Sequence, residues 1–427
     1  MRFENKAPGV YVREVLLQPD SGLPTAVPAF IGFAYGAVVG QAQLLNRAFE
    51  LHRKDEFDAR FNSLYDDTKR LPGSYLADAV AGFFLNGGRR CFVVLVEMES
   101  AQLTDAGARQ KAWRAALDLL APLDALDLIA VPDCMTLRKS KAEGAALPDL
   151  NHGEFDLEAI ADLQRDVLDH CRTHTGRMAI LDAPRRQNEP GDSAAGAGHE
   201  MMTALDPLAI IEGRNRLTLN MAEPVNGALY YPWIETTERR WVPPCGHIAG
   251  IYARSDARTG VYKAPANEEV RGAVNLDYHV DNPMQGGLNE QGINCLRAFP
   301  GRGIRVWGAR TLSRDANWRY INVRRLFLTL GRWIEFNMGW TNFEPSTPRL
   351  WLQIKRELNA YLSDLWAGGA LAGQTAEEAF YVKCDEETNP PEAVDAGHVI
   401  TEIGLAARAP AEFIVINIVH HTGVEPQ

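Results

Sequence analysis

The chain has 427 residues, 46% of them hydrophobic and 23% charged, with a formal net charge of −11. Such a length exceeds one ordinary core and predicts two or three domains, in a composition typical of soluble globular proteins. The acidic balance argues against a general nucleic-acid or anionic-membrane binder, and no apolar run approaches the roughly 20 residues that span a bilayer.

In chain order, residues 1–8 carry no apolar segment of the secretory kind, so folding in a cytoplasm is expected. Gly9-Val-Tyr-Val-Arg-Glu-Val15 alternates apolar and polar residues in the manner of a strand. A helix is predicted over 76–85, broken by Gly87-Gly88, and then a β-rich run over 91–96. Helical spacing over 112–120 leads to an apolar strand over 126–131, closed by Pro132-Asp133. A third unit pairs a helix over 157–171 with a strand over 178–181, closed by Asp182-Ala-Pro184. Residues 190–199 are small and predict a surface loop, and 228–234 is a strand that Pro232 confines to an edge or a strand end. Apolar strands without alternation, separated by helices, imply a mostly parallel α/β sheet buried on both faces.

Beyond residue 300 the pattern becomes α+β. Residues 304–307 read as a strand, 323–336 and 350–366 as helices, and 379–384 and 412–419 as strands. The predicted division is 1–22 as an N-terminal arm, 23–300 as the α/β domain, 301–408 as the α+β domain, and 409–427 as a C-terminal arm. The strand-like ends (Val10, Tyr11, Val12, Val15; Phe413, Ile414, Val415, Ile416, Ile418) must pair with something. They either extend the chain's own sheets or are donated to a neighbouring copy.

Signals for chemistry are sparse. Gly73-Ser-Tyr75 lacks the second glycine of a nucleophile elbow, and Gly301-Arg-Gly303 precedes a strand where a phosphate-binding helix would be required. The six cysteines lie far apart, and the fragments around Cys171/His174, Cys245/His247, His279/Asp281 and His420-His421 each offer two metal ligands without a second half. A structural role is therefore read for each, with no cofactor. Asp133 and Asp182 follow apolar strands, at the sheet edge where active sites form, which leaves a hydrolase-like enzyme as an alternative. Prolines beside both suit turns equally well.

Charge is segregated. Residues 297–332 hold nine arginines against one acid, whereas residues 356–427 hold twelve acids against three basic residues. Arg302, Arg305, Arg310, Arg324 and Arg325, with Asp385, Glu386, Glu387 and Glu412, are the candidate interface charges, because the guanidinium fork grips carboxylates bidentately. An arginine-dependent nucleic-acid-binding module is the competing reading of the basic stretch.

A series of motifs then carries a resemblance. Gly303-Ile-Arg-Val-Trp-Gly-Ala-Arg-Thr-Leu-Ser313, Trp318-Arg-Tyr-Ile-Asn-Val-Arg-Arg-Leu326, Phe343-Glu-Pro345, Gly369-Ala-Leu-Ala-Gly373, Ala379-Phe-Tyr-Val-Lys-Cys-Asp385 and Thr388-Asn-Pro390 occur in order. With Leu350-Trp351, Leu365-Trp366, Pro410-Ala-Glu-Phe413, Gly260-Val-Tyr-Lys-Ala-Pro-Ala-Asn267, Pro8-Gly-Val-Tyr-Val12 and Ala29-Phe-Ile-Gly32, they resemble the tail sheath proteins of contractile phages and related injection systems. Ser346-Thr347 and Arg13 depart from the family pattern. The resemblance implies a structural, non-enzymatic subunit that polymerises with itself in stacked rings around an inner tube and contracts to drive it through an envelope. It implies an α/β domain of subtilisin-like topology, arms that lend strands to neighbours, and baseplate and tail-terminator or cap partners. A virion tail or a released or anchored phage-tail-like particle is the expected setting, with neither membrane nor nucleic acid as partner.

Overall fold

The computed structural model describes residues 23–35, 42–65, 74–98, 106–137, 155–187, 202–204, 207–408 and 414–420. Strands β1 (Pro28–Tyr35), β2 (Ala48–Leu51), β3 (Cys91–Met98), β4 (Leu128–Ala130) and β5 (Met178–Asp182) come first, and β6 (Arg185–Gln187) pairs with β7 (Met202–Ala204) in a separate hairpin. They are followed by β8 (Gly227–Tyr231), β9 (Ile234–Thr236), β10 (Trp241–Val242), β11 (Ala273–Leu276), β12 (Ile293–Phe299) and β13 (Gly303–Trp307). The principal sheet has the order β13-β12-β8-β5-β4-β1-β3-β2. The six central strands run parallel, and β2 and β13 add an antiparallel strand at each edge.

The β-rich apolar strands face helices on both sides, as a buried parallel sheet requires. Ala29, Ile31 and Phe33 of β1 and Val94 and Val96 of β3 pack with α3 (Ala106–Asp118) and α4 (Leu157–Thr173), where Trp113 and Leu163 are buried. The alternate residues Phe30, Val93 and Ile180 face α1 (Lys54–Tyr65), α2 (Leu76–Leu85) and α6 (Cys245–Arg258). Helices α5 (Pro207–Leu217) and α7 (Asn282–Glu290) complete the first layer, contributing Ile210 and Leu288.

The second core lies between α8 (Ile321–Asn337), α9 (Pro348–Ala367) and the sheet β14 (Phe380–Lys383), β15 (Val399–Leu405) and β16 (Ile414–His420), with the short helices α10 (Ala376–Ala379) and α11 (Pro391–Asp395) between them. Helix α8 serves both cores: Ile321 and Leu328 belong to the first, and Leu326, Phe327, Leu330 and Ile334 to the second.

One expectation changes, and another is narrowed to its strand-end alternative. Residues 303–307, expected in the second unit, form β13 at the edge of the large sheet, so a boundary at 300 would cut the β12–β13 hairpin. The strand predicted over 228–234 ends at Tyr231, immediately before Pro232, and lies inside the sheet between β5 and β12. The outer edge of β13 is covered: Asn267 N–H and Val270 N–H donate to Val306 O and Ile304 O, at 2.7 and 2.9 Å. The predicted loop over 190–199 and residues 1–22 lie outside the described residues.

Candidate functional site

The two carboxylates singled out for chemistry are internal ties. Asp133 is fully buried; its carboxylate accepts from Phe33 N–H at 2.8 Å, Tyr75 N–H at 2.6 Å and Ser74 Oγ–H at 2.8 Å. It binds β1 to the entrance of α2, and burial lifts its pKa to about 6 against the pull of those three donors. Asp182 is 2% exposed and accepts from Cys245 N–H at 2.9 Å, capping α6, while the Cys245 thiol also donates to it. Burial raises Asp182 to about 7 and pushes the Cys134 and Cys245 thiols up as well, leaving those thiols protonated and unreactive. All six cysteines are buried, and among the described residues no group of three His, Cys, Asp or Glu is arranged to hold a metal. His247 sits wholly inside, its pKa lowered to about 4 by burial.

The arginine-rich stretch is also largely spent inside the chain. Arg325, expected at an interface, is 3% exposed and forks onto Asp256 at 2.8 and 2.5 Å, with Asp127 at 3.5 Å. Burial opposes its charge, but the two carboxylates outweigh burial and raise its pKa. Arg324 donates to Asn226 Oδ1 at 2.7 Å and lies 4.6 Å over the Trp318 ring; burial lowers it to about 10. Arg332 is 6% exposed and donates to the carbonyls of Pro24, Asp124 and Ala125. Arg310 donates to Asn289 O, and Arg305 to Asn267 O and Arg302 O. Exposed members are Arg302, Arg314 and Arg319. Arg324 and Arg325 therefore leave the set of free surface charges: Arg325 on the sequence's own pattern shares a helix face with Ile321, Leu328 and Arg332, at i, i+4, i+7 and i+11.

On the acidic side, Asp385 folds back to accept from Glu387 N–H and Thr388 N–H, making a turn. Glu386 and Glu387 are exposed, Glu387 pairing with Lys383. Glu412 lies outside the described residues.

The family model described as phage tail sheath protein central domain matches residues 221–312, and that of the phage tail sheath C-terminal domain matches residues 313–420 without a gap between them. Residues 221–420 thus carry matches to both domains of the phage tail sheath family.

Among relatives, the tail sheath protein of Vibrio phage KVP40 is 28% identical over 69% of this chain and 43% of its own length. That of Enterobacteria phage T4 is 26% identical over 86% of this chain and 52% of its own. The chain thus spans about half the length of these phage relatives. It is close in length to solved chains of injection systems. A chain from the anti-feeding prophage baseplate aligns with TM-score 0.68 and 28% identity over 97% of this chain and 99% of that one. A chain of the sheath complex of the extracellular contractile injection system PVC, in its contracted state, aligns with TM-score 0.65 and 26% identity over 98% of both.

At the end of the matched region, β16 supplies the C-terminal strand expected from the sequence. It pairs antiparallel with β15 over seven positions, from Leu405↔Ile414 to Val399↔His420. Ile414, Ile416 and Ile418 take register positions opposite Leu405, Ile403 and Thr401, and Val415 stands opposite Gly404. Here the strand completes the chain's own sheet. Phe413 and the N-terminal candidates Val10, Tyr11, Val12 and Val15 lie outside the described residues.

Proposed function

We propose that this chain is the structural sheath subunit of a contractile injection particle, polymerising with copies of itself around an inner tube and contracting to drive that tube through a target envelope. The observation that carries the reading is the near end-to-end correspondence with injection-system chains, covering 97% of this chain and 99% of the anti-feeding prophage chain at TM-score 0.68. The curated relatives are themselves tail sheath proteins. No helix among the described residues is long and apolar enough to cross a membrane.

Residues 1–22 and 409–427 act as linkers between copies. What supports the C-terminal link is the ladder itself. The backbone groups that β15 presents to β16 are met equally well by an identical strand from another copy, because the register is written in β15 and in the strand and not in the connection between them. Exchange between copies then conserves every ladder hydrogen bond and costs chiefly the entropy of association. Baseplate and tail-terminator proteins are the further partners at the two ends of such a tube, and the particle is assembled inside a bacterium.

Removal of residues 411–427 tests the reading. The shortened chain is expected to stay folded by circular dichroism and to form no tubes by negative-stain electron microscopy, alone or with its tube partner. Normal tubes from it would refute the C-terminal link; the absence of tubes from the intact chain with its tube partner would refute the sheath role.

A further inference from the structure

Strand β1 begins at Pro28, yet three of the four residues before it, Pro24, Ala26 and Val27, are tied to the body by hydrogen bonds. Arg332 of α8 donates to Pro24 O at 3.1 Å. The Asp127 carboxylate accepts from Ala26 N–H at 2.8 Å and Val27 N–H at 2.6 Å, and Asp127 N–H returns a bond to Val27 O at 3.2 Å. Asp127 in turn faces Arg325 at 3.5 Å and Arg332 at 3.8 Å, both on one face of α8 and both buried. Gly176, at φ +84°, gives Arg332 its seat: a Cβ there would stand 2.3 Å from Arg332 Cγ. Ala26 adopts φ +53°, the left-handed region that an alanine avoids, and it is 3% exposed. A cleft of about 550 Å³ opens beside these residues, lined by Leu23, Asp124, Arg177, Arg332, Glu335 and Phe336.

The paired register starts at Pro28, and hydrogen bonding to β4 reaches back no further than Val27 O, which accepts from Leu128 N–H at 3.3 Å, so the left-handed turn at Ala26 lies outside the ladder. Strain held by surrounding bonds in this way is a reason to look for a positioning role. Helix α8 supplies both arginines and also packs in both cores, so the segment leaving at Leu23 is tied to the helix that joins the two halves of the molecule.

We propose that Asp127 and Arg332 are positioning residues for the N-terminal linker. With Ala26 they form a joint that sets the direction in which residues 1–22 leave the body and couples that direction to α8. The partner so reached is a second copy of this chain, which rests on the reading above that residues 1–22 link copies.

The test uses spin labels on Asp20→Cys and Glu158→Cys in the intact chain, the native thiols being buried. The parent is expected to give a single narrow distance peak. Arg332→Lys, which keeps the cation but not the fork, and Ala26→Gly, which removes no hydrogen bond and only frees φ, are expected to lose that single peak at near-parent melting temperatures. Their tubes are expected to show a spread of helical twist by cryo-electron microscopy. A broad parent distribution, or an unchanged peak in the folded variants, overturns the joint while leaving the linker reading intact. Should Arg332→Lys fail to fold, Ala26→Gly decides alone. A chain lacking residues 1–22 that builds normal tubes overturns the linker reading, and the joint with it.

Discussion

At Arg325 a single side chain meets two carboxylates with almost no water present. Taking such a group away strands its partners: Arg325→Ala leaves Asp256 and Asp127 buried with their main counter-charge gone, and the expected loss is about 3–5 kcal/mol, read from urea unfolding. The buried acids give a prediction of the opposite sign in pH. Burial raises Asp182 from 3.8 to about 7. The folded state therefore holds its proton where the unfolded chain has already released it, and stability falls as pH rises from about 4 to 7. Asp133 and Asp277, each raised to about 6 chiefly by burial, act in the same direction. Asp182→Asn keeps an acceptor for Cys245 N–H and removes the titration, so it should flatten the pH dependence of the urea midpoint between pH 4.5 and 7. An unchanged slope would exclude Asp182 as its source. The sequence shows how many charges a segment carries and is silent on which of them are buried. That is why Arg324 and Arg325 read as surface charges, although their placement among Ile321, Leu326 and Leu328 was a usable sign of an inward face.

Among elements, α6 shows where legibility failed and why. Its first eight residues, Cys245, Gly246, His247, Ile248, Ala249, Gly250, Ile251 and Tyr252, are all buried, so over that stretch there is no polar face and no 3.6-residue alternation. The segment instead drew notice as a metal-like Cys-Gly-His fragment. Helices with one wet face, such as α4 and α9, lie within a few residues of their predicted bounds. Helix α6 crosses α2 through its glycines: a Cβ on Gly246 would lie 2.2 Å from Ala79 O, and one on Gly250 2.4 Å from Phe83 O. Backbone cannot yield as a flexible side chain can, so Gly246→Val is expected to cost ~3 kcal/mol through forced separation of the two helices. The urea midpoint should fall with the slope unchanged; a neutral outcome would mean the helices are not in this contact. The boundary at 300 failed for another reason. Gly301 and Gly303 mark a tight turn, φ +71° and +72°, and a turn inside a hairpin looks in sequence like a break between domains.

Over the whole molecule, the parallel α/β class and the α+β second half were readable because their strands are apolar throughout and their helices punctuate them. Assembly was readable mainly as a pair of ends in want of partners. With much of the arginine stretch committed internally, Arg302, Arg314 and Arg319 are its exposed members and the ones on which the proposed contact with the acidic half of another copy would rest. Replacing all three with glutamate should leave the melting temperature near the parent value, as surface changes do. Tube growth followed by light scattering should slow at low salt, and the difference should fade at high ionic strength. Equal rates at low salt would remove these three from any orienting role.

The covered edge of β13 has a consequence for the architecture of the polymer. With Asn267–Val270 laid along it, and β2 only four residues long with Glu50 paired to Arg90, the large sheet is a poor monomer for strand-on-strand growth. Neither edge of the large sheet therefore invites strand addition, and the proposed exchange falls to the small sheet of the second half. On the proposed linker reading each subunit would have a fixed, low valence, so that joining copies would yield a regular net of defined connectivity instead of a branching gel.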